Sequence, residues 1–107
     1  MSLLHNYSQH LRSGDADSIA LLFTEDGEFH DQAPTKLALQ PVDVKGRENI
    51  RAFFRVVFRQ GGLKVSNIAI NGNAIRYDLE IGNTVFLCLG VATVENNLIK
   101  EYKVIAA

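Results

Sequence analysis

The feature that most limits the fold of this chain is a change of hydrophobic period past its middle. Through Phe58 the clearest apolar runs recur at helical spacing; after Gly62 they recur every second residue. Leu63–Ile70 reads as a strand, and Asn71-Gly72-Asn73 as a tight hairpin turn. Ala74–Ile81 follows, with Ile75, Tyr77, Leu79 and Ile81 on one face and Arg76, Asp78 and Glu80 on the other. Gly82-Asn83 turns into Thr84–Val94, which is apolar on both faces, as suits a central strand. Glu95-Asn96-Asn97 turns once more, and Leu98–Ala106 closes the run. Strands joined by such short turns pair antiparallel.

The first half must cover that sheet. Leu3, Leu4, Tyr7 and Leu11 make the apolar stripe of a helix over Ser2–Arg12, stopped at Gly14. Asp15 or Asp17 can cap a short second helix carrying Ile19, Leu22 and Phe23. The chain turns at Glu25-Asp26-Gly27 and runs extended to Asp31. Gly46-Arg47-Glu48-Asn49 opens a third helix, whose stripe is Ile50, Phe53, Phe54, Val57 and Phe58 and which Gly61-Gly62 ends. Its arginines lie mostly off the stripe, as a solvated face. Between Gln32 and Lys45 there is no period, and Pro34 and Pro41 interrupt the backbone. A loop of that length is either a pocket rim or a mobile surface segment, and Leu37, Leu39 and Val42 point to packing. The expected fold is α+β: one domain over residues 1–107, with three helices on the concave face of a curved antiparallel sheet. Such a cone leaves a cavity, the usual place for a ligand.

Composition excludes several classes. A net charge of -1 over 107 residues gives no electrostatic footprint for nucleic acid or an anionic membrane. No apolar run approaches the roughly 20 residues of a membrane helix. The first residues are too polar and too short for a signal peptide. A lone cysteine, Cys88, has no internal partner, which fits a reducing, cytoplasmic setting. There is no phosphate-binding glycine loop, no nucleophile elbow, no dinucleotide fingerprint and no metal-ligand spacing, so neither a cofactor nor a metal is expected.

The chemistry converges on one carboxylate. Side chains alternate along a strand, so Phe29 and Asp31 share a side while Glu28 and His30 share the other. Phe29 is the inward residue, so Asp31 is expected to point inward too. A carboxylate there is costly unless it has a partner or a task. The structural alternative is an Asp bonded to backbone N–H groups of the following loop. The functional one is a base of raised pKa that removes a proton next to a carbonyl. Other inward positions are expected to wall the cavity: Phe29, Phe54 and Phe58, then Tyr77 and Tyr102 as hydroxyl carriers. Phe86, Cys88 and Gly90 share one strand face, with Cys88 a buried, inert thiol.

Tyr7 seven residues before Gly14-Asp15, the stretch DADSIALLFTEDGEFHD and the run GRENIRAFF together resemble the nuclear transport factor 2-like superfamily, and within it the SnoaL-like and ketosteroid-isomerase-like proteins. The resemblance implies that Asp31 stands where those isomerases place a proton-transfer base. It implies that Tyr7 stands where they place an oxyanion donor. Their second, protonated acid aligns with Gly90, so that donor is absent. The implied activity is a cofactor-free isomerase or polyketide cyclase acting on a hydrophobic carbonyl compound in the cone. The alternative is a non-catalytic ligand-binding or dimerisation module of the same fold. An epoxide-opening hydrolase would need a second acid and an arginine, and Arg76 and Asp78 lie on the wrong strand face. Val85, Leu87, Leu89, Val91, Ile99 and Ile105 are expected on the outer sheet face, too apolar to leave in water, which points to a homodimer.

Overall fold

The computed structural model describes residues 2–61 and 63–106. Helix α1 is Leu3–Ser13; the Ser2 side chain accepts from the His5 N–H at its start, and Gly14 closes it in the left-handed region. Helix α2 is Ala16–Leu21, capped by Asp15, which accepts from the Ser18 N–H at 3.0 Å. Helix α3 is Arg47–Gln60, with Gly61 at its C-cap; Gly62 lies outside the described residues.

Six strands form one sheet: β1 Phe23–Asp31, β2 Val42–Lys45, β3 Leu63–Asn71, β4 Ala74–Ile81, β5 Thr84–Glu95 and β6 Leu98–Ala106. Their order is β2-β1-β6-β5-β4-β3. The last four strands are the expected antiparallel meander. Two features correct the sequence reading. Strand β1 pairs with β6 in parallel, Phe29 beside Tyr102 and Asp31 beside Val104, because the chain crosses the molecule between them. The stretch expected to lack structure contains a 3-10 turn, Ala33–Leu37, and the short strand β2, antiparallel to β1.

Two bulges set which side chains enter the core. Phe23, expected to end the second helix, opens β1 and is fully buried. The register slips between Phe23 and Glu28, where the turn at Gly27 was expected. A Cβ at Gly27 would sit 3.0 Å from the Thr24 carbonyl and 3.1 Å from Phe23, so any larger residue would push the bulge apart by a few tenths of an ångström. Arg47 locks the start of α3 to this point, donating from Nε at 3.0 Å and from Nη2 at 2.6 Å to the Phe23 carbonyl. The second bulge is on β6, where Thr93 faces Glu101 but Val94 faces Ile99, leaving Lys100 unpaired. It turns Ile99 into the core, where it is fully buried, not onto the outer face.

Candidate functional site

Helices and sheet enclose a cavity of about 280 Å3. Phe53, Phe54 and Val57 of α3 form its roof, and Phe29 and Asp31 of β1 one wall. Tyr7 comes from α1, and Tyr77, Leu79 and Phe86 from β4 and β5. Ala33, Pro34, Leu37, Leu39 and Val42 close the rim, so the segment after β1 contributes to the cavity. The polar side chains among the described lining residues are Asp31, Tyr7, Tyr77 and Gln60. Rings pack edge to face around them: Phe29 on Phe54 at 5.1 Å and Phe53 on Phe54 at 5.2 Å between centroids.

Asp31 makes the backbone bond of the structural alternative and also stands on the cavity wall. Its Oδ1 accepts from the Ala33 N–H at 2.8 Å, an Asx-type bond that pins the start of the 3-10 turn. The carboxyl also lies on the cavity wall. Burial raises its pKa, and the bond from Ala33 opposes that rise only in part. Tyr7 is fully buried, and its phenol is raised well above the ordinary value, first by burial and then by the Tyr102 phenol. Tyr77 is raised likewise, chiefly by burial. Both are neutral donors at physiological pH.

The remaining expected pocket residues stand one layer behind the lining. Phe58 stacks on Phe54 at 5.7 Å and packs against Gly14. Cys88 is fully buried, with its thiol pushed up to about 11 chiefly by burial, which keeps it protonated and inert. Tyr102 is fully buried and leans over Gly90. Gln60 and Phe53 lie on the lining, although the sequence reading gave neither a site role. Gln60 continues the α3 stripe three residues beyond Val57, and that spacing was the available signal.

On the other face of β1, His30 Nδ1 meets the Asp43 carboxylate at 2.6 Å, and Nε2 faces Glu28 at 3.2 Å and Glu101 at 3.8 Å. The bond to Asp43 and the charges of Asp43 and Glu28 raise its pKa. Glu28, His30 and Glu101 bring ligand atoms within 4.8 Å of one another, a cluster that strand pairing creates and sequence spacing could not show. Once protonated, the imidazole offers an N–H to Asp43 on one side and to Glu28 on the other. Arg76 and Asp78 pair with each other at 3.4 Å, and neither lines the cavity.

Among the described residues, no helix is long and apolar enough to cross a membrane. Several solved structures share the fold. An NTF2-like protein from Cytophaga hutchinsonii matches with a TM-score of 0.70 at 14% identity, over 98% of this chain and 87% of that one. A protein of ketosteroid isomerase-like fold from Catenulispora acidiphila, in complex with trimethylamine, matches at 0.71 and 13% identity, over 96% of this chain and 83% of that one. A cystatin-like fold from Silicibacter pomeroyi matches at 0.74 and 19% identity, over 98% and 73%. A search of curated proteins finds no match. The SnoaL-like domain model matches residues 4–102, nearly the whole chain, and with the cone and its cavity this places the protein in the SnoaL-like family, within the NTF2-like fold.

Proposed function

We propose that the protein is a small acid–base catalyst that moves a proton next to the carbonyl of an apolar substrate, as an isomerase or a cyclase. One observation carries this reading: a single apolar cavity holds the Asp31 carboxyl together with the hydroxyls of Tyr7 and Tyr77. A desolvated carboxylate is a stronger base than one in water, and buried phenols can donate to the oxygen on which charge develops. Such a reaction needs a base and an oxyanion donor, and no cofactor. A cavity of about 150 Å3 accepts benzene, so one of 280 Å3 suits a body of about two fused rings. The test is deuterium exchange at the α-carbon of bicyclic ketones in D2O, followed by NMR. The wild type should exchange the α-protons, and Asp31→Asn should keep its fold and lose exchange. Equal rates for the two proteins would sink the proposal.

A second reading is a binding module without turnover. Phe29, Phe53 and Phe54 around a carboxylate also suit a small ammonium ligand. The relative that holds trimethylamine makes that ligand the first to titrate. Calorimetric binding of trimethylamine, abolished in Asp31→Asn, with no α-exchange on any ketone, would favour this reading over catalysis.

Either reading is compatible with a homodimer. Val85, Leu87, Leu89, Val91 and Ile105 are each 43–59% exposed on the outer sheet face, and a second copy of this face would cover them. Light scattering should give twice the chain mass, and Leu87→Lys should return it to one.

A further inference from the structure

Strand pairing builds a second cluster on the outer face of the sheet, on the side of β1 away from Asp31. Glu28 and Glu101 are direct partners across the parallel β1–β6 pair, and His30 follows Glu28 by two positions on the same face. Like charges placed directly opposite each other destabilise a strand pair. Asp43 adds a third carboxylate from β2, where it stands opposite His30. Lys45 stands opposite Glu28 in register, and Lys103 meets Glu101 Oε1 at 3.5 Å. That contact leaves Glu101 Oε2 to the imidazole side, 3.8 Å from His30 Nε2.

Asp43 decides which ring nitrogen is free. Its Oδ1 lies 2.6 Å from His30 Nδ1, so Nδ1 carries the proton and donates it. In the neutral ring the lone pair is then on Nε2. Nε2 faces Glu28 Oε1 at 3.2 Å and Glu101 Oε2 at 3.8 Å. Metal sites use this carboxylate–histidine arrangement to fix the ligating nitrogen. A proton on Nε2 serves only Glu28, because 3.8 Å is beyond hydrogen-bond reach. A metal ion serves both carboxylates. Bonds of about 2.0–2.2 Å at tetrahedral angles put neighbouring donor atoms about 3.3–3.6 Å apart. The two nitrogen-to-oxygen separations bracket that range, and one ligand atom from each of the three residues lies within 4.8 Å of the others. All three side chains border one open groove, so water can take the fourth position.

We infer that Glu28, His30 and Glu101 form a binding site for a divalent transition-metal ion, with Asp43 as the positioning residue behind His30. One imidazole nitrogen with two carboxylate oxygens suits Zn2+ ahead of Ca2+ or Mg2+, which seek six or more oxygens. The ligands come from opposite ends of the chain and meet only in the folded sheet. Binding therefore adds to stability, and the ion staples β1, the strand that carries Asp31, to β6.

The test is calorimetric titration of the full chain with ZnCl2, with MgCl2 and CaCl2 as controls. One Zn2+ should bind per chain, with no rise in mass by light scattering. Binding should be lost in His30→Ala and in Glu101→Gln; both positions lie outside the core, and circular dichroism checks that each variant is folded. Asp43→Ala should weaken binding about 10–100-fold. Nitrogen-15 NMR of the His30 ring should show Zn2+ on Nε2 alone in the wild type and on either nitrogen in Asp43→Ala. Zn2+ should also raise the thermal midpoint of the wild type and leave that of His30→Ala unmoved. Zn2+ binding that survives His30→Ala, or Mg2+ and Ca2+ binding as tight as Zn2+, means an adventitious ion only and overturns the site. A mass that rises with Zn2+ places the ligands between copies and overturns it as well. Unchanged affinity and nitrogen selectivity in Asp43→Ala overturn the role of Asp43. An unmoved wild-type midpoint at saturating Zn2+ overturns the staple.

Discussion

Asp31 and His30 are neighbours on one strand, and both have raised pKa values, yet for opposite reasons. Asp31 faces inward, and loss of water disfavours its charge. His30 faces outward, and the Asp43 and Glu28 carboxylates favour its charge. The same direction of shift therefore yields a destabilised anion on one side of the sheet and a stabilised cation on the other. The inner face desolvates its titratable group; the outer face pairs its own with charge. For stability the two signs agree. A raised folded pKa means stability present below the unfolded value and lost as pH rises through the folded one. Asp31 contributes its loss above about pH 3.9 and His30 above about pH 6.5, so they act in separate windows.

The sharpest way to break this contrast is Asp31→Asn. Turnover should fall by about 10²–10⁴-fold, the usual reach of a positioned base. Urea unfolding at pH 7 should show the variant no less stable than wild type, since an unfavourable buried charge has gone. A large loss of stability instead would make the Ala33 bond the main task of Asp31. Next comes Gly90→Ala on the inner face, expected to cost about 1–3 kcal/mol by overpacking against Tyr102, read from urea unfolding. Smallest is His30→Ala, which should cost about 0.2–1 kcal/mol at pH 6 and nothing measurable at pH 9. Salt separates the faces further. In 1 M NaCl the His30 effect should shrink, while the effect of Asp31→Asn on stability should persist, because desolvation is not screened. Equal salt sensitivity at both positions would end the distinction.

Periodicity exposed the parts that obey it. The α1 and α3 stripes, the meander and the shared side of Phe29 and Asp31 were all legible from spacing. Tyr7, Phe29, Phe54, Tyr77 and Phe86 were expected on the pocket wall or at the site, and each lies on the cavity lining. What stayed hidden depends on distant partners or on a single extra residue. Strand β2 has four residues in a proline-broken stretch and exists because β1 offers it an edge. The parallel pairing of β1 with β6 joins residues some seventy positions apart, Phe29 with Tyr102 and Asp31 with Val104, and no local pattern encodes it. Ile99 reads as outward by simple alternation, and the unpaired Lys100 reverses it. Cys88, Gly90 and Tyr102 have the right facing but the wrong depth, since the Tyr7 and Tyr77 rings lie on the lining while they do not. Depth is set by ring size and helix approach, which a one-dimensional pattern does not carry.

The bond from the Ala33 N–H to Asp31 has a consequence in time. A charged carboxylate holds that amide more tightly than a neutral carboxyl does. Under the proposed function, proton uptake by Asp31 would loosen its grip on the first turn of the rim, and release would restore it. The charge of the carboxyl and the hold on the first turn of the rim would then change together, through one bond and with no separate latch.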